Sequence, residues 1–193
     1  MTKMVRAVAV TAACFLTAAF YMVGASTSVR AAQDDVRLDP LFERLATAPN
    51  PSDAMPIESE IWKIWIEFDE PDVSRNMKLG VYSMNTGQLR QAQAFFDEVI
   101  RLAPDFAEGW NKRATVRYLM RNYPASVSDI AQTLHLEPRH FGALSGLGLI
   151  ELHLGHEEKA LHAFERALEI HPYLGTLRFQ VDELREKIRG QKI

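Results

Sequence analysis

The chain has 193 residues with 22 basic and 25 acidic side chains, enough for one domain plus a leader. Residues 1–32 hold Lys3, Arg6 and Arg30 and no acid, so the remainder carries 19 basic against 25 acidic side chains, a net charge of −6. That mildly acidic body argues against nucleic acid or an anionic lipid surface as a partner, and the lone cysteine, Cys14, leaves the body after residue 32 without disulfide or thiol chemistry.

Lys3 and Arg6 precede an uncharged run from Ala7 to Ala25, and small residues follow up to Ala31-Ala32. A basic start, an apolar middle and a small-residue exit predict a secretory signal peptide over 1–32. Val23-Gly24-Ala25 and Val29-Arg30-Ala31 both suit a signal peptidase, and the polar Gln33-Asp34-Asp35 favours the later site. The alternative is an uncleaved anchor, since the run approaches the ~20 residues that span a bilayer. Its alanine and threonine content makes it a poor permanent span. Thr11-Ala12-Ala13-Cys14 is a weaker lipoprotein signal, because the apolar run continues past Cys14. The expected location is a bacterial periplasm, with membrane contact only if the leader is retained.

Two helices are predicted before the central region. Asp39-Pro40 reads as an N-cap followed by a first helical proline, with Leu41, Phe42 and Leu45 as a short stripe that ends at Pro49-Asn50-Pro51. A second helix starts near Ser52 or Asp53. Its Ile57, Ile61, Ile64, Trp65 and Phe68 share one face, widened by Trp62 and Ile66, and Pro71 is expected to end it.

From residue 73 the chain repeats itself every 34 residues. Ala92, Ser126 and Ala160 align, as do Phe96, Ile130 and Phe164, and Pro104, Pro138 and Pro172. Leu79-Gly80, Arg113-Ala114 and Leu147-Gly148 match earlier in each unit. The units are 73–106, 107–140 and 141–174. Each divides into two helices: about 73–85 and 88–102, 107–120 and 124–136, 141–154 and 157–170. The turns between them fall at Thr86-Gly87, Arg121-Asn122-Tyr123 and Gly155. After the last unit, Leu174, Leu177, Val181, Leu184 and Ile188 follow a 3-4-3-4 spacing, an amphipathic helix over 173–193 with one narrow apolar stripe.

This period, with its small, aromatic and proline landmarks, resembles the tetratricopeptide repeat. The resemblance implies an all-α, right-handed solenoid of helix–turn–helix units. The small residues let paired helices approach, Phe96, Ile130 and Phe164 fill the gap to the next unit, and the prolines stop each second helix. Residues 33–72 then read as a degenerate repeat that caps the array and packs against unit 73–106. Residues 175–193 read as the C-terminal capping helix.

The resemblance also places binding on the concave face, lined by the first helix of each unit. The candidates are Met77, Val81 and Met84; then Asn111, Lys112, Thr115 and Tyr118, with Glu108 beside them; then Ser145, Leu149 and Leu152, with His153. Apolar surface with a few amides suits a peptide or a partner helix. Co-chaperone members of the family grip a C-terminal carboxylate with lysines, asparagines and an arginine. The corresponding positions here hold Met77, Val81, Lys112, Gly142 and Gly146, so an Hsp90- or Hsp70-type role is not expected. Asn111, Lys112, Arg113 and Arg117 form a small basic cluster, for which internal pairing with Glu108 or Asp129 is the expected use.

No catalytic motif occurs, and His156-Glu157-Glu158 lacks the second histidine of a zinc protease, since position 160 is Ala160. No cofactor and no metal are expected. The reading is a non-enzymatic periplasmic scaffold for a protein or peptide, serving envelope assembly or integrity. The alternatives are an accessory subunit of a secretion, transport or cytochrome-maturation complex, and, from another class, a metal carrier or enzyme that uses the histidines.

Overall fold

The computed structural model describes residues 32–191. Among them are a 3-10 turn at Ala32–Asp34, nine α-helices and no strand. The helices are α1 (Leu38–Ala46), α2 (Pro51–Ile66), α3 (Pro71–Asn85), α4 (Leu89–Leu102), α5 (Ala107–Leu119), α6 (Tyr123–Leu136), α7 (Phe141–His153), α8 (Glu157–Ile170) and α9 (Leu177–Gln191). The all-α solenoid expected from the period is the fold: α3–α4, α5–α6 and α7–α8 are the three closely packed pairs.

Each pair turns over at one repeat position. Gly87 and Gly155 adopt left-handed backbone, φ +76° and +77°, and in the middle unit Arg121 does the same at φ 60°. Glycine enters that region without steric penalty, whereas arginine must be held there. Asn122, the next residue, accepts from Ala125 N and so caps α6.

Within a pair, one helix gives up its side chain to the other. A Cβ added to Gly80 would lie 2.6 Å from the Phe96 ring, and one added to Gly148 would lie 2.2 Å from the Phe164 ring. The middle unit divides the same volume differently, with Ala114 facing the smaller Ile130 in one core cluster. Phe96 and Phe164 fill space inside their own unit and also join the core shared with the next element, Phe96 with Phe106 and Val116 and Phe164 with Leu177 and Val181. Val99 shares the inter-unit role, its side chain lying 2.8 Å from a Cβ built on Gly109 at the start of α5.

The N-terminal pair departs further from expectation. Helix α1 begins at Leu38, one residue before the Asp39-Pro40 start, and α2 begins at Pro51 with the Asn50 side chain accepting from Asp53 N at 3.1 Å. Pro71 opens α3 instead of closing α2. Proline needs no N–H at a first helical position, and the Glu70 carboxylate accepts from Val73 N at 2.6 Å. Helix α2 ends at Ile66, and Phe68 leaves it to pack on Phe106, ring centroids 4.8 Å apart and tilted by 47°.

The expected packing of this pair against residues 73–106 is not found. Its buried core, Leu38, Leu41, Phe42, Leu45, Ile57, Ile61, Ile64 and Trp65, closes on Phe141 of the third unit, with Ile170, Tyr173 and Leu174 at its margin. The repeat positions explain why a stacked cap is missing. Val116 and Ile150 are fully buried against the preceding unit, while Tyr82 at the same position is 65% exposed. The tyrosine hydroxyl and the flanking charges of α3 suit water better than a stacked helix. Polar ties fasten the pair to its actual site. Arg139 donates to Asp39 at 2.7 Å and lies 4.3 Å over the Phe42 ring, and the Tyr173 hydroxyl donates to Ala48 O at 3.1 Å.

At the other end α9 lays Leu177, Val181 and Leu184 on Leu144, Ala160, Phe164 and Ala167. It starts four residues later than expected because Gly175 turns the backbone at φ +41°.

The Gly148 contact yields a test. Gly148→Ala should lower stability by about 1–3 kcal/mol through overpacking. Adding Phe164→Ile, which recreates the Ala114–Ile130 pairing, should recover part of that loss in urea unfolding followed by circular dichroism.

Candidate functional site

Helices α5 and α7 lie side by side, and their facing sides enclose a cavity of about 310 Å³. Asn111, Thr115 and Tyr118 line it from α5 and Ser145 and Leu149 from α7, over a floor that includes Ser126 and Ile130. The hydroxyls are already committed: Thr115 donates to Asn111 O at 3.0 Å and Ser145 to Phe141 O at 2.8 Å. Ser126 donates to Ala114 O at 2.7 Å, tying α6 to α5 beneath the cavity. These bonds turn polar residues into a largely apolar wall. Tyr118 sits at one end with Tyr123 and His153, ring centroids 5.5–5.8 Å apart. Tyr123, the first residue of α6, was not among the sequence candidates; it reaches the site only through its ring contacts with Tyr118 and His153.

The start of α5 carries a buried ionic cluster. Glu108 is essentially inaccessible, and His140 Nε2 lies 2.9 Å from its Oε2. Asn111 Nδ2 donates to the same oxygen at 2.8 Å, and Lys112 Nζ lies 2.8 Å from Oε1. His140 Nδ1 accepts the N–H of Ala143, which caps α7 and leaves Nε2 to carry the imidazole proton toward Glu108. Burial pushes the Glu108 carboxyl up, but Lys112 and His140 outweigh it and hold the group at about 2.

Helix α2 covers this cluster. The Trp65 ring stacks on His140 at 4.3 Å and 10°, Trp62 meets His140 edge-on at 5.6 Å, and Lys112 lies 5.5 Å over the Trp62 ring. The contact of Trp62 with α7 is close enough that a Cβ on Gly142 would lie 2.9 Å from the indole. The two tryptophans are packing residues, as their helical spacing suggests, but their surface is the junction of the second and third units, formed by Lys112, His140, Phe141 and Gly142.

The remaining candidates divide. Met77 is buried with Ala32 and Val73 in the first unit's core, and Val81 and Met84 pack against that core, so these three do not line the cavity. The cause is the 3-10 turn: Gln33 donates to Asp105 O and accepts from Ala107 N, which seats Ala32 over Met77. Lys112 is engaged by Glu108 and Trp62. Leu152 faces α9, in a recess with Leu184 and Lys187. Asn111, Thr115, Tyr118, Ser145 and Leu149 are brought together. Arg113 and Arg117 both pair with Asp129 at 2.7 Å, and Arg113 also reaches Asp97, so neither needs an external anion. His153 Nδ1 contacts Leu149 O and His156 Nδ1 contacts Glu151, and among the described residues no three potential ligands converge as a metal site.

Comparison with known proteins places the chain. Tetratricopeptide repeat profiles match residues 74–106 and 111–174. A TPR repeat-containing protein of Rhizobium etli is 40% identical over 156 residues, covering 81% of this chain and 76% of that protein. The chain belongs to the tetratricopeptide repeat family. Among solved structures of the family, the first TPR of Spaghetti (RPAP3) bound to an HSP90 peptide superposes with a TM-score of 0.59 at 17% identity. The match covers 63% of this chain and 96% of that one. MamA superposes with a TM-score of 0.57 at 19% identity, covering 80% of this chain and 83% of that one. At these identities the likeness is one of fold.

The Glu108 cluster sets a pH dependence. A folded-state pKa held below the ordinary carboxyl value stabilises above about pH 4.5 and loses that contribution as pH falls toward 2. Glu108→Gln should cost about 2–3 kcal/mol at pH 7. It should also flatten the urea midpoint between pH 4.5 and 2, where the wild type declines.

Proposed function

We propose that the protein is a non-catalytic adaptor of a bacterial periplasm that holds a short segment of a partner protein between α5 and α7. The observation that carries this is the cavity itself. It is apolar, its hydroxyls are turned inward onto the backbone, and Tyr118 stands at its end. Asn111 adds a side-chain carbonyl for which no hydrogen bond is found among the described residues, an acceptor for a peptide N–H. In the family, the RPAP3 repeat domain holds a peptide, which supports a peptide-class ligand here. The positions of the carboxylate clamp hold Met77, Val81, Gly142 and Gly146, with Lys112 already paired to Glu108, so the segment is recognised by side-chain burial and backbone contacts instead of a charged chain end.

The location rests on the basic, apolar and small-residue pattern of 1–32, of which residues 1–31 lie outside the described residues. Among the described residues no helix is long and apolar enough to cross a membrane. Service in envelope assembly or integrity follows from an adaptor placed in that compartment.

The test is affinity capture from envelope extracts with the wild-type chain beside Tyr118→Ala/Leu149→Ala. The variant should lose at least tenfold of the captured partner while its helical circular dichroism is unchanged. Equal capture would overturn the groove assignment. The mass of the envelope-resident form should lack the leader, and a full-length mass would replace the soluble adaptor with a tethered one.

A further inference from the structure

We infer that the concave face continues beneath α2 as a second ligand surface, filled in cis by residues 32–66. The external segment that takes their place is an amphipathic helix carrying two aromatic side chains three residues apart. This rests on the groove reading, because the surface is the continuation of the same cavity wall. Asn111 and Gly142 border the cavity, and on the far side of each lies the α2 seam: Asn111 binds Glu108, and Gly142 receives Trp62.

Three observations carry the inference. First, the surface has the shape and chemistry of a receptor. The bare Gly142 admits the Trp62 indole, and the flat face of His140 takes the Trp65 ring in parallel stacking. Second, the solenoid does not need the helical pair for its own core. The clusters built on Leu144, Phe164 and α9, and on Ala114, Ile130 and Ile150, contain no residue of α1 or α2. Of the solenoid, only Phe141 enters the pair's buried core.

Third, the seam is imperfect in one specific way. Among the described residues, the buried side-chain nitrogens and oxygens without a hydrogen bond are Trp65 Nε1, Glu108 Oε1 and His171 Nε2. All three lie here. Lys112 Nζ pairs with Glu108 Oε1 at 2.8 Å and Glu58 Oε2 of α2 lies 3.1 Å from His171 Nε2, so of the three only the Trp65 indole has neither a hydrogen bond nor an ion pair. A buried donor or acceptor left unbonded weakens the contact that buries it. Among the described residues the one buried indole without a polar partner thus lies on α2, at an interface that a hinge at Glu67–Glu70 could open. A ligand helix that fills the same seat without burying an unbonded N–H displaces the pair and lengthens the groove.

The probe is a fluorescent synthetic peptide of residues 50–68, which carries Trp62 and Trp65. It should bind full-length Trp62→Ala/Trp65→Ala at least tenfold more tightly than wild type, where the intact pair competes. In the same variant, with Cys14→Ser, cysteines placed at Asp39 and Arg139 and joined by a bis-maleimide should return affinity to the wild-type level. Equal binding to variant and wild type, no binding to either, or indifference to the cross-link would each overturn the inference. Hydrogen exchange of the unmutated chain decides the case where the variant does not fold. The amides of α1 and α2 should exchange together at least tenfold faster than those of α5 and α7, and exchange of both sets at one rate would overturn it. Tyr118 and Leu149 lie outside the seam, so loss of the partner in their variant upholds the groove whatever the peptide does.

Discussion

Each unit of the solenoid closes because one helix is bare where the other is bulky. Gly80 under Phe96 and Gly148 under Phe164 bring two backbones within reach of a single ring, and Ala114 with Ile130 reaches the same closeness by a different division of volume. The distance between paired helices sets how far each first helix stands from the next. The spacing of α5 and α7, and so the width of the cavity, descends from contacts on the opposite side of those helices. Close packing transmits such constraints because interiors have few voids in which to absorb a shift.

The second constraint is electrostatic. Glu108 sits at the start of α5, where the positive end of the helix dipole favours an anion. It is buried, so it needs partners from several directions: Lys112 one turn on, Asn111 beside it and His140 from the turn that opens the next unit. His140 in turn caps α7 through Ala143 N and offers its flat face to Trp65. One carboxylate thereby links two repeats and the N-terminal pair. Arg113, Arg117 and Asp129 form a second ionic cluster, between α5 and α6, and Asp97 of the preceding unit joins it. The middle unit is the most polar of the three inside, which matches its weaker fit to the repeat landmarks.

The regular part of the fold was legible because period, glycine turn and proline stop all act locally. The predicted bounds for α3 to α8 fall within about two residues of those observed, the usual uncertainty of helix ends. The N-terminal pair was legible as two helices and not as a placement. Its apolar spacing says that one face is buried, and periodicity carries no information on what buries it. Trp62 stands 34 residues before Phe96, at the same repeat position, yet Gly142, the residue that receives it, lies 80 positions away. The candidate site divided for the same reason. Thr115, Tyr118, Ser145 and Leu149 follow from repeat position alone, whereas Met77, at the repeat position of Ser145, is buried in the first unit's core with Ala32, and Lys112 lies under Trp62. Repeat position predicts exposure only where nothing outside the repeats lies on it.

That return has a consequence for how the chain is made. Contacts within the solenoid join neighbours, while Asp39 meets Arg139 across 100 residues and Ala48 meets Tyr173 across 125. Local units form early and long-range contacts late. Helices α1 and α2 are made before the repeats and are therefore the last to dock, because their seat is assembled only when the third unit and the turn after α8 exist. Until then Trp62, Trp65 and the isoleucines of α2 travel uncovered. A chain that crosses a membrane before folding meets this interval on the far side, and the apolar stripe exposed during it is the part of the molecule most open to chaperones and to aggregation.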